Sequence, residues 1–418
     1  MQVELAYGSG SLSVEVPADA RVVRPTSLPG LADPARAVTG ALRRPTSGRP
    51  LPELVRPGVR VVVAFPDITR PMPNRVVLPP LLAELERLGA DPDDITLLCA
   101  TGTHRPATPR ELEELVGTPI VSRYRIHQHA ATDDSHVKVG DVDGTPVLLN
   151  AHYVQADVRI VTGFVEPHFF AGFSGGPKAV CPGLAALETI LQAHSPARVL
   201  APGATWIELD ANPVHRFIAD AAALLPPDLS VDVAINNDRD VTAVFVGALP
   251  ASHREACAFV RRTAVHTVPA PYDVVVCSNA GLPLDRNLYQ AVKGMAAAER
   301  VVRVGGDIVM LSSCVDGFPD EGPFAGILRA APSVEALVDP GAAATQDTWQ
   351  AQVLGRVLGR ATVHLFSDGL GPDQVRAAHL VPVKDPSATV AELVARRGPG
   401  ATVCVLPEGP LGVATVAG

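Results

Sequence analysis

Aromatic residues make up only 4% of this 418-residue chain, so its core must be built mainly from valine, leucine and alanine. The six cysteines (Cys99, Cys181, Cys257, Cys277, Cys314 and Cys404) are scattered and form no CxxC pair. That excludes a disulfide framework and a thiolate zinc site, and it reads as reduced, mostly buried thiols in the cytoplasm. No apolar run approaches the roughly 20 residues of a membrane span, and the first ten residues lack the basic and apolar regions of a secretion signal. Positive charge is also short. The formal net charge is −9 with no basic stripe, which excludes a general nucleic-acid surface. An acidic small molecule would therefore need its own local cations. Lysine is the scarcest cation: among 35 basic residues only Lys138, Lys178, Lys293 and Lys384 are lysines. Arginine can neither act as a nucleophile nor form an amide, so the four lysines mark the places where an amine is available.

What is present describes a globular protein with much to bury, at 47% hydrophobic and 19% charged residues. Such a length exceeds one ordinary core and predicts two domains. Met1 to Pro17 alternates around a GSGS turn and predicts a hairpin. Three strand–loop–helix units follow: Arg60–Phe65 with Asn74–Leu88, Ile95–Ala100 with Pro109–Val116, and Asp157–Val165 with Leu184–Ala193. Val231–Val246 predicts a second hairpin, and Ser252–Ala264 a helix. Val268-Pro269-Ala270-Pro271 reads as a linker before another α/β set that starts at Tyr272. The expected fold is two α/β domains, 1–267 and 268–418, with mainly parallel doubly wound sheets and the active site in the interdomain cleft.

The chemistry-bearing residues fall at predicted strand ends. In PDITRP, Arg70 can clamp a carboxylate by two parallel hydrogen bonds while Asp67 holds its fork, although a structural Asp–Arg loop pair gives the same pattern. In TGTHRP, His104 is a candidate general base. The segment Glu166–His194 holds His168, a glycine turn with Gly172, Gly175 and Gly176, then Lys178 and His194. Such a turn lets backbone N–H groups approach a ligand closely, and it is expected to open a helix that ends at His194. Neither HxH nor HExxH spacing occurs within Glu166–His194, so a metal here depends on a cofactor for most of its ligands. Gln290 and Lys293 lie one helical turn apart, which makes Lys293 a second cation for an acidic substrate. His127, His129 and His136 fit no ligand spacing and are expected in a solvated loop.

Together, PDITRP, TGTHRP, EPHFFAGFSGGPKAVCPG, His194, Gln290 and Lys293 resemble the nickel-pincer 2-hydroxyacid racemases, the lactate racemase family, from about Pro66 to Trp349. The resemblance implies a nickel-pincer nucleotide, made from a pyridinium mononucleotide and delivered by maturation enzymes. Lys178 would carry it through a thioamide, beside Gly175, Gly176 and Asp67, and His194 would ligate the nickel. His104 and His168 would be the two acid–bases. Arg70 and Lys293 would hold the substrate carboxylate, with Gln290 and Asp67 in support and Trp349 lining the pocket. The implied reaction is inversion of C2 in a lactate-like or larger 2-hydroxy acid by reversible hydride transfer to the cofactor. A nicotinamide-dependent 2-hydroxyacid dehydrogenase on the same scaffold is the alternative, but no strand leads into GxGxxG with an acidic residue beyond it. A non-catalytic binder of the cofactor or of an acidic ligand leaves His104, His168 and Lys178 without a purpose.

Overall fold

The computed structural model describes residues 1–133, 135–319 and 322–417. It is a mixed α/β protein of two compact units, each with its own mainly parallel sheet, and the chain passes between them more than once. One unit gathers Ser27–Ala193 and Glu208–Arg262; the other gathers Met1–Thr26, His194–Ile207 and the chain from Thr263 onward.

The first unit is built on six strands: β1 (Val61–Pro66), β2 (Ile95–Ala100), β3 (Arg125–Gln128), β4 (Val158–Phe164), β5 (Leu229–Ile235) and β6 (Val241–Gly247). Their spatial order is β6-β5-β4-β1-β2-β3, parallel throughout except for the β5–β6 hairpin. A strand buried on both faces needs a continuous apolar run, and Val61 to Phe65 is such a run, fully buried. Helix α1 (Asn74–Arg87) packs Val77, Leu78, Leu81 and Leu85 against that sheet. Helix α2 (Pro109–Val116) starts on a capping box between Thr108 and Glu111. From β1 the chain winds outward through β2 and β3, then crosses back to β4 on β1's other side. The reversal between β1 and β4 is where an open α/β sheet leaves a crevice at its carboxyl edge.

The second unit repeats the plan. Strands β7 (Tyr272–Ser278), β8 (Val302–Leu311), β9 (Ala361–Phe366), β10 (Val381–Pro382) and β11 (Val403–Leu406) run parallel in the order β10-β9-β8-β7-β11, with Arg21–Val22 on the outer edge of β11. The amino-terminal hairpin, Gln2–Tyr7 paired with Gly10–Glu15, adds Val3, Leu5, Val14 and Val16 to a core with Val274, Val276, Val309 and Leu311.

Two expectations are corrected. The glycine turn does not open a helix running to His194. It makes one 3-10 turn over Gly176–Ala179, and the helix before His194, α3, spans only Leu187–Ala193. Pro182 lacks the N–H that a continuing helix would need, and Gly183 N–H instead bonds back to the Lys178 carbonyl. Nor is the histidine-rich stretch a solvated loop. His127 lies in β3, and His136 begins a hairpin whose second strand, Thr145–Asn150, buries Val147 and Leu149. His129 is 1% exposed, its Nε2 bonded to the Ala185 carbonyl, and burial pushes its imidazole down to about 4. The alternation in the second strand was hidden by the polar residues around it. All six cysteines are buried and unpaired. Among the described residues no helix is long and apolar enough to cross a membrane.

Candidate active site

The carboxyl ends of β1, β2 and β4 deliver the first group of residues. Asp67, one residue beyond β1, is 3% exposed, and its Oδ2 lies 2.8 Å from His104 Nδ1. Its Oδ1 accepts a 2.7 Å hydrogen bond from the Thr69 hydroxyl. Burial pushes the Asp67 carboxyl up, but the hydrogen bond and charge of His104, together with Arg70 and Thr69, outweigh it and hold the group below its usual range. Asp67 was expected to hold the Arg70 fork; it holds the imidazole of His104. Among the described residues the half-buried Arg70 guanidinium has no hydrogen bond or ion pair with the protein, which leaves it available to an anion.

Beyond β4 the chain makes the glycine turn, and the neighbouring strand β5 holds it down. Gly176 N–H donates to Asp232 Oδ1 at 3.0 Å, while Asp232 Oδ2 accepts from Ser230 Oγ. His253, on helix α4 (Ala251–Ala264), places its Nε2 2.8 Å from the Ser174 carbonyl. A Cβ on Gly176 would sit 2.5 Å from the His253 ring, and one on Gly175 2.7 Å from Asp232 Oδ1. At φ values of +51° and +75° both positions also favour glycine by conformation. This clamp fixes Lys178, whose backbone N–H closes the turn onto the Gly175 carbonyl. Its Nζ lies 3.5 Å from His168 Nε2 and 5.7 Å from the centre of the Phe170 ring. His168 Nδ1 accepts from Ala171 N–H at 3.2 Å, and the ring stacks on Phe169.

The second unit carries the remaining candidates. His194 is 6% exposed, with its ring centre 5.0 Å from that of Trp349. Trp349, at the start of helix α6 (Thr348–Arg360), donates its indole N–H to the Tyr289 hydroxyl at 3.0 Å. Tyr289, Gln290 and Lys293 share helix α5 (Leu288–Glu299). Asn279, just past β7 and fully buried, ties that helix to the strand end, donating to the Gln290 carbonyl and accepting from Gly294 N–H. Gln290 Oε1 is buried without a hydrogen-bond partner among the described residues, an acceptor in want of a donor.

The chain has relatives of known name and of known structure. Residues 7–206 match the model of the lactate racemase N-terminal domain, and residues 267–415 that of the lactate racemase C-terminal domain. The lactate racemase of Lactiplantibacillus plantarum is 36% identical over 383 residues, covering 90% of this chain and 89% of that protein. The chain belongs to the lactate racemase family. The lactate racemase of Thermoanaerobacterium thermosaccharolyticum is 31% identical over 97% of both chains. The solved structure of a lactate racemase apoprotein from that organism superposes with a TM-score of 0.92 at 29% identity, over 99% of this chain and all of that one. A Thermotoga maritima protein at 19% identity and a TM-score of 0.71, covering 92% of this chain, shares the fold.

Within this member of the family, the structure brings Asp67 to His104, Lys178 to His168 and Trp349 to His194. Asp232, His253 and Asn279 are residues that sequence motifs did not reveal. None lies inside a glycine- or histidine-marked stretch, and Asp232 and His253 reach the glycine turn only through the pairing of β4 with β5 and the packing of α4. The sole available signal was the polar Asp232 within an apolar strand.

Proposed function

We propose that this chain racemises a lactate-like 2-hydroxy acid by reversible hydride transfer, using a nickel-pincer nucleotide bound to Lys178. The observation that carries the reading is the opposite hydrogen bonding of its two candidate acid–bases. A carboxylate at His104 Nδ1 requires a proton there, so the neutral ring keeps its lone pair on Nε2 and acts as a base. A backbone N–H at His168 Nδ1 requires the lone pair there, so its Nε2 carries the proton and donates. One ring accepts the proton of the substrate hydroxyl, and the other hydrogen-bonds the oxygen of the planar keto acid. The opposite enantiomer uses them in the opposite sense. Arg70 and Lys293 would hold the carboxylate, with Gln290 in support and Trp349 bounding the space available to the side chain.

The residues fit the cofactor. Lys178 Nζ lies 3.5 Å from His168 Nε2, so a group attached to that amine sits beside a candidate acid–base. Gly175 and Gly176 let Asp232 and His253 pack directly against the turn that presents Lys178. Among the described residues no three His, Cys, Asp or Glu side chains converge on a metal position, which suits nickel arriving with most of its own ligands. When bound, the group supplies the metal and the acceptor for the substrate's Cα hydride, and Lys178 and His194 would hold it.

The enzyme would be cytoplasmic and would depend on maturation enzymes for this group. Co-expressed with them, the chain should show a covalent mass adduct at Lys178, bound nickel and loss of optical rotation from a single lactate enantiomer. Lys178→Arg keeps a cation but cannot form the bond, and it is expected to lose the adduct and all racemisation. Wild-type activity in that variant would refute the tether.

A further inference from the structure

The second unit contains a cleft of about 360 Å3 at the end of the sheet remote from Gln290 and Lys293. Arg300 lies at the carboxyl end of α5, just before β8, and Arg360 ends α6, just before β9. The cleft therefore sits at the amino ends of the strands. It lies on the order of 10 Å along α5 from Lys293, at 1.5 Å per residue.

Its lining is cationic out of proportion to its acids. Arg300, Arg356 and Arg360 line it with Glu299 as the single carboxylate, beside the hydroxyl-bearing Thr205 and Thr415. Glu299 is already engaged, both oxygens 3.2 Å from Arg356 Nε, and Arg356 Nη1 donates to the Ala204 carbonyl. Arg360 spends its Nε on the Val302 carbonyl, leaving its terminal nitrogens to the cleft. Arg300 has no carboxylate partner among the described residues. Its Nη1 donates to Thr205 Oγ1 at 3.1 Å, and its buried Nε meets no acceptor among the described residues. Burial disfavours its charge, the neighbouring Glu299 carboxylate offsets part of that and Arg356 adds to it, so a cation without an ion-paired carboxylate and an unanswered N–H lie in one place. A planar guanidinium fork in that condition matches an oxyanion.

We propose that this cleft is a binding site for a small dianionic oxyanion, a phosphate or the phosphoryl group of a small metabolite, held by Arg300, Arg356 and Arg360. Bound there, it ties together the carboxyl ends of α5 and α6, the helices that carry Lys293 and Trp349. It also engages the segment that begins at His194. Ligation is therefore expected to stabilise the fold by simple linkage.

The test is calorimetric titration of the full chain with inorganic phosphate and separately with glycerol phosphate, against chloride at equal ionic strength, repeated on Arg300→Gln and Arg360→Gln. Saturable binding with a matching rise in Tm is expected, weakened roughly tenfold or more in each variant through loss of a charge-assisted bond. Binding of both ligands assigns recognition to the phosphoryl group, and binding of glycerol phosphate alone assigns it to a phosphomonoester. The proposal fails if neither ligand binds saturably, or if both variants, folded by circular dichroism, keep wild-type affinity, which would place the ion elsewhere. Arg360→Gln guards the test against misfolding, since among the described residues its terminal nitrogens make no hydrogen bond or ion pair.

Discussion

Asp67 decides the protonation pattern at His104. Replacing it with asparagine keeps the shape but removes the acceptor that requires a proton on Nδ1, and an amide N–H in that place would move the proton to Nε2. Asp67→Asn is expected to lower kcat by about 10²–10⁴-fold, the usual worth of a general base, with a much smaller change in KM. Steady-state kinetics from both enantiomers will check it. The same carboxyl sets a pH dependence of stability. Its folded-state pKa lies below the ordinary value, because partners outweigh burial, so its contribution is fully present above the usual carboxylate range. That contribution is lost only as pH falls through the lowered value. The Tm difference between wild type and Asp67→Asn should accordingly stay constant near neutrality and shrink below about pH 4. A difference that instead grows on acidification would contradict the depressed pKa.

The glycine turn is an element whose geometry is dictated from outside itself. Gly176 must be glycine both for its positive φ and because His253 occupies the place of a Cβ. Gly144, at the tip of the hairpin after His136, also has a positive φ (+74°), but nothing lies within 4 Å of its missing Cβ. The pair separates two costs. Gly144→Ala should lose only the left-handed strain, about 1–2 kcal/mol, whereas Gly176→Ala adds a steric clash and should lose more. Only the second should diminish attachment of the cofactor at Lys178. Thermal melts together with intact mass of the co-expressed proteins distinguish the outcomes. Asp232 and His253 act on the same element from β5 and α4, through Gly176 N–H and the Ser174 carbonyl.

At the scale of the molecule, the chain interleaves its two units, and the amino terminus serves the core of the later sheet. Val3, Leu5, Val14 and Val16 are buried with Val274, Val276, Val309 and Leu311. At roughly 1.5–3 kcal/mol for each buried side chain, these four contribute an amount comparable with a whole domain's stability. Deleting Met1–Thr26 should therefore unfold the unit built on β7 to β11. The core around β1 contains none of those side chains. Hydrogen exchange is the measurement: protection should vanish at Val274–Cys277 and Val403–Val405 and persist at Val61–Phe65. Uniform retention of protection would show that the hairpin is dispensable.

Much of this was written in local sequence. Apolar runs such as Val61–Phe65 and Ile95–Ala100 can only be buried parallel strands, and the loops after them had to emerge at a carboxyl edge, which placed Asp67, His104 and Lys178 correctly in kind. Scarcity of lysine singled out Lys178 and Lys293 before any coordinates. What local sequence misjudged was whatever a distant partner governs. The stretch around His129 looked solvated because burial depends on the packing of Asn150 and Ala185, and the helix expected to reach His194 was cut short by Pro182. The Asp67 carboxylate had two cations within reach in the chain, Arg70 and His104, and spacing cannot choose between them. Only the pairing of β1 with β2, which brings Pro66 beside Ala100, puts the carboxylate against the imidazole and leaves the arginine for an anion. Residue type determined which groups could do chemistry, and strand order decided which of them met.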